Sequence, residues 1–204
     1  MIHSKTFETY DDYIQCQGMK LPYVLEKMKS SNMHQRRLVG FTKMFVKAKE
    51  HMIGGRVLCL GARTGEEVEA ARKAGFLYSI GVDLYPVGNC VVKADWHDLP
   101  FDDNSFENVF TNSLDHCFDL PKLVMEVKRV LIPGGVFFLV ASEKFAWATI
   151  PIQDRMKKSK NEALFWDNAD ELMMEFKRAG LKLFESWVRP EKKYYFMRNS
   201  KDGN

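Results

Sequence analysis

A five-residue turn, Gly61-Ala62-Arg63-Thr64-Gly65, follows the apolar run "RVLCL" and opens the helix-like stretch "EEVEAARKAG". Strand, glycine turn and helix in that order are how sites for nucleotide-type ligands begin, because the turn and the helix N-terminus bring backbone amides to the ligand. A dinucleotide turn reads GxGxxG, however. Here Arg63 stands at the middle position, and Glu66 and Glu67 fill the first helical turn. Two carboxylates favour the helix dipole but repel a diphosphate, so a phosphate-free and preferably cationic ligand suits the loop better. Glu66 and Glu67 read equally well as good first-turn residues without a ligand. Asp83 closes the next apolar run, "LYSIGVD", about 20 residues past the first glycine, where a carboxylate can accept from a ribose diol. Asp95 and Trp96 close the one after it, "CVVKADW", with a carboxylate for an exocyclic amine and a flat apolar face for a purine. His97 belongs to the same loop.

A base is needed only where a reacting oxygen or nitrogen holds its proton at working pH. His116 and Asp115, in "SLDHCF", are the candidates. An imidazole with an ordinary pKa of about 6.5 suits that work, although packing and backbone hydrogen bonding explain such a histidine equally well. Asp95, Asp115 and His116 lack the tight spacing of a metal site, so none is expected. Cys117 reads as a small buried hydrophobe.

Alternating strands and helices must position these residues. "RVLCLG", "LYSIGVD", "CVVKAD", "FENVFTN" and "GVFFLVAS" read as five strands, the first without polar alternation and so buried on both faces. Asp119 caps the helix in "DLPKLVMEVKRVLIPGG", Pro121 fits its first turn and Pro133-Gly134-Gly135 stops it. "NADELMMEFKRAG" is a further helix, and "LKLFESWV" and "KKYYFMRN" are a final antiparallel pair. Residues 1–54 read as helical, with Leu38, Phe41, Phe45, Ala48 and Met52 at helical spacing. The pattern predicts a doubly wound α/β sheet, with residues 55–199 as core and 1–54 as a helical cap, in one domain of 204 residues. Phe145, Trp147, Ile150, Phe165 and Trp166 either line an apolar acceptor cavity or form core beneath a lid.

A net charge of +3, from 30 basic and 27 acidic residues, gives no nucleic-acid stripe or membrane-binding face. "RMKKSK" and "PEKKYY" read as solvated faces. The four cysteines are scattered without a CxxC pair, which suits a reducing compartment. The polar N-terminus lacks a signal-peptide core and no apolar run reaches membrane-span length, so a cytoplasmic location is expected.

The ordered run "ADWHDLPFDDNSFENVFTNSLDHCFDLPKLVMEVKRVLIPGG", with the glycine turn before it, resembles the class I S-adenosylmethionine-dependent methyltransferases of the broad small-molecule type. The resemblance spans Arg56 to Ser142, with weaker support to Asn199. It implies a Rossmann-like, seven-stranded, mostly parallel sheet with an antiparallel last strand. It implies S-adenosylmethionine as cofactor, S-adenosylhomocysteine as product and a small-molecule acceptor. By position, Gly61, Ala62, Arg63, Thr64 and Gly65 would lie along the methionine moiety. Asp83, followed by Leu84, would meet the ribose, Asp95 and Trp96 the adenine, and Asn112 and Ser113 the sulfonium end. His116 matches a histidine common in the family. A phosphate-free cofactor bearing a sulfonium and an ammonium also agrees with the acidic first turn. Two positions depart: Cys59 stands where the family usually has an acidic residue, and Arg63 where it usually has glycine. Arg63 is expected either to pair with the methionine carboxylate or to fold back onto Glu66 or Glu67. These departures leave a second reading open, a catalytically degenerate member serving as a binding or partner module; methylation of protein or RNA is a third.

Overall fold

The structure is a computed structural model that describes residues 2–4, 7–30, 32–142, 151–159, 162–189 and 192–200. In chain order, β1 (Ile2–Ser4) precedes three helices, α1 (Tyr10–Gly18), α2 (Leu21–Ser30) and α3 (Met33–Ala48). Then come β2 (Val57–Leu60), α4 (Glu66–Lys73), β3 (Ile80–Asp83), β4 (Val91–Lys93), β5 (Phe106–Thr111), α5 (Leu120–Val130) and β6 (Leu131–Ser142). The chain closes with α6 (Ile152–Lys158), β7 (Leu164–Trp166), α7 (Leu172–Arg178), β8 (Leu181–Arg189) and β9 (Lys192–Asn199).

Seven strands form the central sheet in the order β4-β3-β2-β5-β6-β9-β8. Pairing is parallel from β4 to β6, and β9 lies antiparallel between β6 and β8. The doubly wound sheet with its antiparallel end is thus as the sequence predicts. Successive side chains of a strand point to opposite faces, and β6 supplies both cores. Phe137, Leu139 and Ala141 join Leu123, Val127, Leu172 and Phe176 of α5 and α7. Val136, Phe138 and Val140 join Leu38, Phe45 and Ala48 of α3 and Val68 of α4. The predicted helical spacing in α3 therefore does bury its stripe. The chain leaves β2 toward β3 and β4, then returns to the other side of β2 as β5. Loops after β2, β3, β4 and β5 meet at this switch point, where α/β sheets bind ligands.

Two differences from the sequence reading have local causes. Pro133-Gly134-Gly135 does not separate α5 from β6: the helix ends at Val130 and β6 is already paired at Leu131. The triplet sits in a bulge where Phe106–Asn108 on β5 faces Leu131–Val136 on β6. Gly135 is required there, because a Cβ would lie 2.8 Å from the Ile132 carbonyl oxygen and 3.1 Å from that of Glu107. The N-terminal region is not wholly helical either, since Ile2–Ser4 pairs antiparallel with Leu164–Trp166 in a second, two-stranded sheet. Pairing over so long a separation leaves no local sequence signal. Phe165 and Trp166 consequently belong to buried β7, at 4% and 8% exposure, and not to a cavity wall. Phe145, Trp147 and Ile150 lie outside the described residues. No helix of the described residues is long and apolar enough to cross a membrane.

Candidate functional site

The glycine turn is held from beneath. Gly61 takes φ +70° and Gly65 φ +85°, both left-handed conformations that glycine adopts without strain. Gly61 N–H and Ala62 N–H both donate to the Val82 carbonyl, at 2.9 and 3.1 Å, and Gly65 N–H donates to the Ala62 carbonyl at 2.6 Å. Three amides of the turn are thereby committed to the protein, as suits a loop that does not cradle phosphate. A Cβ on Gly61 would come within 3.0 Å of the Ser113 Cβ and 3.2 Å of the Trp96 ring, so glycine keeps a cradle open between them. The Arg63 carbonyl accepts from Val87 N–H at 2.7 Å, which braces the turn against the loop after β3.

Glu66 and Glu67 are not a solvated first turn; each is 2% exposed. Thr64 Oγ1 donates to Glu66, whose other oxygen lies 3.2 Å from His34 Nδ1. Arg37 Nη2 donates to Glu67 Oε1 at 2.9 Å, and its Nε lies 3.7 Å from Glu66. Two residues of α3 thus claim the acidic turn of α4. Burial raises the Glu67 carboxyl, opposed by Arg37, and its Oε2 has no hydrogen-bond partner among the described residues. Cys59 is fully buried, and burial raises its thiol.

Arg63 does not fold back onto Glu66 or Glu67. Its Nε donates to Asp83 Oδ1 at 3.1 Å, because His34, Arg37 and Thr64 already occupy the glutamates. Asp83 Oδ1 also accepts Tyr85 N–H at 2.8 Å. No hydrogen bond among the described residues reaches Asp83 Oδ2, and Asp83 lines the cavity. That cavity, of about 230 Å³, is walled at the sheet edge by Gly61, Arg63, Thr64, Leu84, Trp96 and Ser113.

Asp95 stands at the rim of this edge, but its carboxylate is not part of the cavity wall. Oδ2 accepts the Tyr10 hydroxyl at 2.5 Å, and Oδ1 accepts His97 N–H at 2.8 Å and lies 2.8 Å from His97 Nδ1. Burial alone would raise this acid, yet the bonds from His97 and Tyr10 outweigh it and hold it down at about 2. The opposite nitrogen, His97 Nε2, accepts Asp119 N–H at 3.2 Å. The loop after β4 is thereby joined to both α1 and α5.

Past β5, Ser113 reaches the cavity and donates from Oγ to Asn112 Oδ1 at 3.3 Å; the Asn112 side chain itself stays outside. His116 lines the cavity and its carbonyl accepts the Tyr13 hydroxyl at 2.5 Å. The Asp115 side chain does not line it, while its backbone carbonyl accepts Ala163 N–H at 2.8 Å. Lys20, between α1 and α2, places Nζ 3.3 and 3.4 Å from the two His116 ring nitrogens and 3.0 Å from Gln17 Oε1. The sequence points to the N-terminal helices as a wall of the acceptor pocket but singles out none of the roof residues Tyr13, Gln17, Lys20, Val24 and Arg37. Their only signal was Tyr10, Tyr13 and Gln17 at helical spacing, which reads as an ordinary packed face.

A seven-stranded, mostly parallel sheet with an antiparallel end, a glycine turn after the strand at the switch point and an acid ending the next strand define the class I methyltransferase architecture. Comparison with known proteins agrees. Residues 58–139 match a family model described as a methyltransferase domain. A probable phthiotriol/phenolphthiotriol dimycocerosates methyltransferase of Mycobacterium ulcerans is 49% identical over 47 residues, covering 22% of this chain and 18% of its own. The malonyl-[acyl-carrier protein] O-methyltransferase of Halorhodospira halophila is 29% identical over 174 residues, covering 74% of this chain and 52% of its own. The chain thus spans about half or less of the length of these curated relatives. Among solved structures, one described as an S-adenosylmethionine-dependent methyltransferase and possible histamine N-methyltransferase from Thermotoga maritima superposes with a TM-score of 0.66. It shares 17% identity, over 91% of this chain and all of that one, and so speaks to the fold alone. The chain is thus similar to class I methyltransferases in fold and matches the methyltransferase-domain model over residues 58–139.

Proposed function

We propose that this protein transfers a methyl group from S-adenosylmethionine to a small-molecule acceptor. The observation that carries the reading is Asp83: a carboxylate at the end of β3, lining the cavity, with Oδ1 fixed by Arg63 and Tyr85 and no bond to Oδ2 among the described residues. An acid in that state can accept from a ribose diol. The rest of the wall fits the same cofactor. The Gly61 cradle between Trp96 and Ser113 admits a ligand where a side chain would clash. Trp96 offers a ring for the purine beside Leu84. Asp95, outside the cavity wall and bonded by Tyr10 and His97, would serve the adenine side by fixing the loop that carries Trp96.

When bound, the cofactor supplies an electrophilic methyl on a positively charged sulfur. The chain's contribution is to hold an acceptor in line, which supplies most of the acceleration for such a transfer. Ser113 and His116, which line the cavity, would border the sulfonium end, and His116 would be the side chain to orient or deprotonate an acceptor there; Asp115 would act at most through backbone position. The two curated relatives are named for methylating phthiotriol or phenolphthiotriol dimycocerosates and a malonyl group on acyl-carrier protein, neither of them a nucleic acid, which supports an organic-metabolite acceptor here.

Isothermal titration calorimetry with S-adenosylhomocysteine and S-adenosylmethionine tests the reading. Binding of both is expected, with Asp83→Ala weakening it by roughly 1–3 kcal/mol, the range for a lost charged hydrogen bond. No binding of either at millimolar ligand would turn the chain into a scaffold that keeps only the fold.

A further inference from the structure

Three cations reach the cavity, and two of them are already neutralised. Arg37 is paired with Glu66 and Glu67, and Arg63 with Asp83. Lys20 is different. Its Nζ contacts Gln17 and the His116 ring, and no carboxylate among the described residues forms an ion pair with it. Burial pushes its ammonium down to about 8; the Glu162 charge opposes that shift, Arg63 adds to it and Asp115 opposes it more weakly. Among the described residues the cavity wall thus carries a half-buried cation with no carboxylate at ion-pair distance, beside His116. A buried charge in that condition is costly unless something pairs with it.

We propose that Lys20, with His116 beside it, is the anion-binding end of the acceptor pocket, and that the acceptor presents a carboxylate there and is methylated on it. The proposal rests on the methyl-transfer reading above and adds the substrate class. A positively charged wall disfavours ammonium acceptors and favours an anionic oxygen. A carboxylic acid is also ionised near neutral pH, so no base has to remove a proton. One carboxylate oxygen forms the new O–CH3 bond, the methyl–sulfur bond of the sulfonium donor breaks, and its electron pair stays on sulfur as a thioether. The negative and positive charges cancel to give a neutral methyl ester, and no proton moves. Lys20 places the carboxylate and does not touch the transferred methyl. Gln17, 3.0 Å from Lys20, holds the ammonium toward the cavity.

The test uses three probes with one skeleton, hexanoate, hexanol and hexylamine, titrated by ligand-observed NMR into the full chain alone and saturated with S-adenosylhomocysteine. Hexanoate should bind at least tenfold more tightly than the other two. Lys20→Met should abolish that preference while leaving S-adenosylhomocysteine affinity within twofold, and Lys20→Arg should restore it. Equal binding of hexanol and hexanoate, or tighter binding of hexylamine, overturns the proposal. So does a Lys20→Met variant that loses S-adenosylhomocysteine and hexanoate alike, because Lys20 would then hold the cofactor's own carboxylate. If hexanoate binds through Lys20 while S-adenosylhomocysteine does not bind at all, the anion site stands without methyl transfer, and the proposed ester chemistry falls with the cofactor reading.

Discussion

Asp83 is held by two different kinds of group, and they do not contribute equally. Tyr85 N–H comes from the backbone and survives side-chain substitution, whereas Arg63 contributes a charge at 3.1 Å in a pair whose side chains are 15% and 9% exposed. Removing one partner of such a pair leaves a charge with little water to replace it. Arg63→Ala should therefore lower stability by about 1–2 kcal/mol in urea denaturation, below the full cost of a wholly buried pair because the arginine is partly exposed. It should weaken cofactor binding less than Asp83→Ala does, since Tyr85 still orients the carboxylate. A double-mutant cycle with Asp83→Ala should give a coupling of about 1 kcal/mol; additive losses would mean that the two side chains act independently. Lys20 gives the opposite sign. Its ordinary value of 10.5 falls to about 8 in the fold, so the folded state holds its proton less tightly than the unfolded chain does. That penalty is full below about pH 8 and vanishes as pH rises through 10.5. Lys20→Met should accordingly stabilise the protein at pH 7, on the order of 1–3 kcal/mol, and give nothing at pH 11. A loss of stability at pH 7 would mean that the ammonium is satisfied where it sits.

At the scale of elements, α1 is joined to the sheet edge by three hydroxyl bonds. Tyr10 donates to Asp95, Tyr13 to the His116 carbonyl at 2.5 Å, and Tyr85 to the Ile14 carbonyl at 3.1 Å. Gly18 lets Tyr85 approach closely, since a Cβ there would lie 2.8 Å from its ring. Thr9 and Asp12 cap α1 reciprocally, so the helix starts firmly. Tyr10→Phe keeps the ring against Tyr13 and Phe118 and removes the hydroxyl's bond to Asp95 together with its 3.1 Å contact to His97 Nδ1. It should cost roughly 1.5–3 kcal/mol, nearer the lower figure at this half-exposed site. Amide exchange in Tyr10–Gly18 should quicken more than in β5 or β6; uniform quickening would show that α1 does not open by itself. This roof is where sequence reading ran out. The sheet edge was legible because each of its residues follows a strand: Gly61, Asp83, Asp95 and Ser113 are fixed by chain order along a regular alternation. Capping at Asp119 was legible because the cap is local, and Lys122 N–H does donate to it at 3.0 Å. Lys20 and Arg37 face the site only because helices dock across the sheet, and nothing in their neighbours announces that. Arg63 was visible as an oddity, but its partner could not be read, because that depends on which cations reach Glu66 and Glu67 first. The Ile2–Ser4 pairing with β7 was illegible for the same reason.

For the whole molecule, acids tie distant parts of the chain together, and their titration should set its pH range. Arg129 forks onto Glu126 at 2.7 and 2.8 Å and reaches the carbonyls of Leu99 and Phe101, joining α5 to the loop after β4. Glu107 accepts Arg56 N–H at 2.7 Å and locks the entry to β2 onto β5. Hydrogen bonding by Arg129, against burial, lowers Glu126; Arg56 lowers Glu107 and Ser159 lowers Glu162, both against burial. Tyr195, again against burial, and Lys193 lower Asp170, and Asp95 sits at about 2. Each folded-state value lies below its unfolded one, so each contribution is present above about pH 4.5 and disappears as pH falls through the folded value. Asp95, the acid held lowest, gives up its proton last in that loss. Glu67 runs the other way. Burial raises it, so its contribution is full below 4.5 and is lost as pH rises through the raised value. Urea midpoints should thus hold level or rise slightly from pH 7 to pH 5, then fall steeply between pH 4.5 and pH 2. Since these acids join both faces of one sheet, the acid transition should be a single step by fluorescence and by far-ultraviolet circular dichroism. Tyr10→Phe should flatten the profile between pH 4 and pH 2, where Asp95 gives up its proton. A wild-type midpoint at pH 2.5 equal to that at pH 6, or an unchanged slope in Tyr10→Phe, would mean that these bonds hold geometry without holding charge.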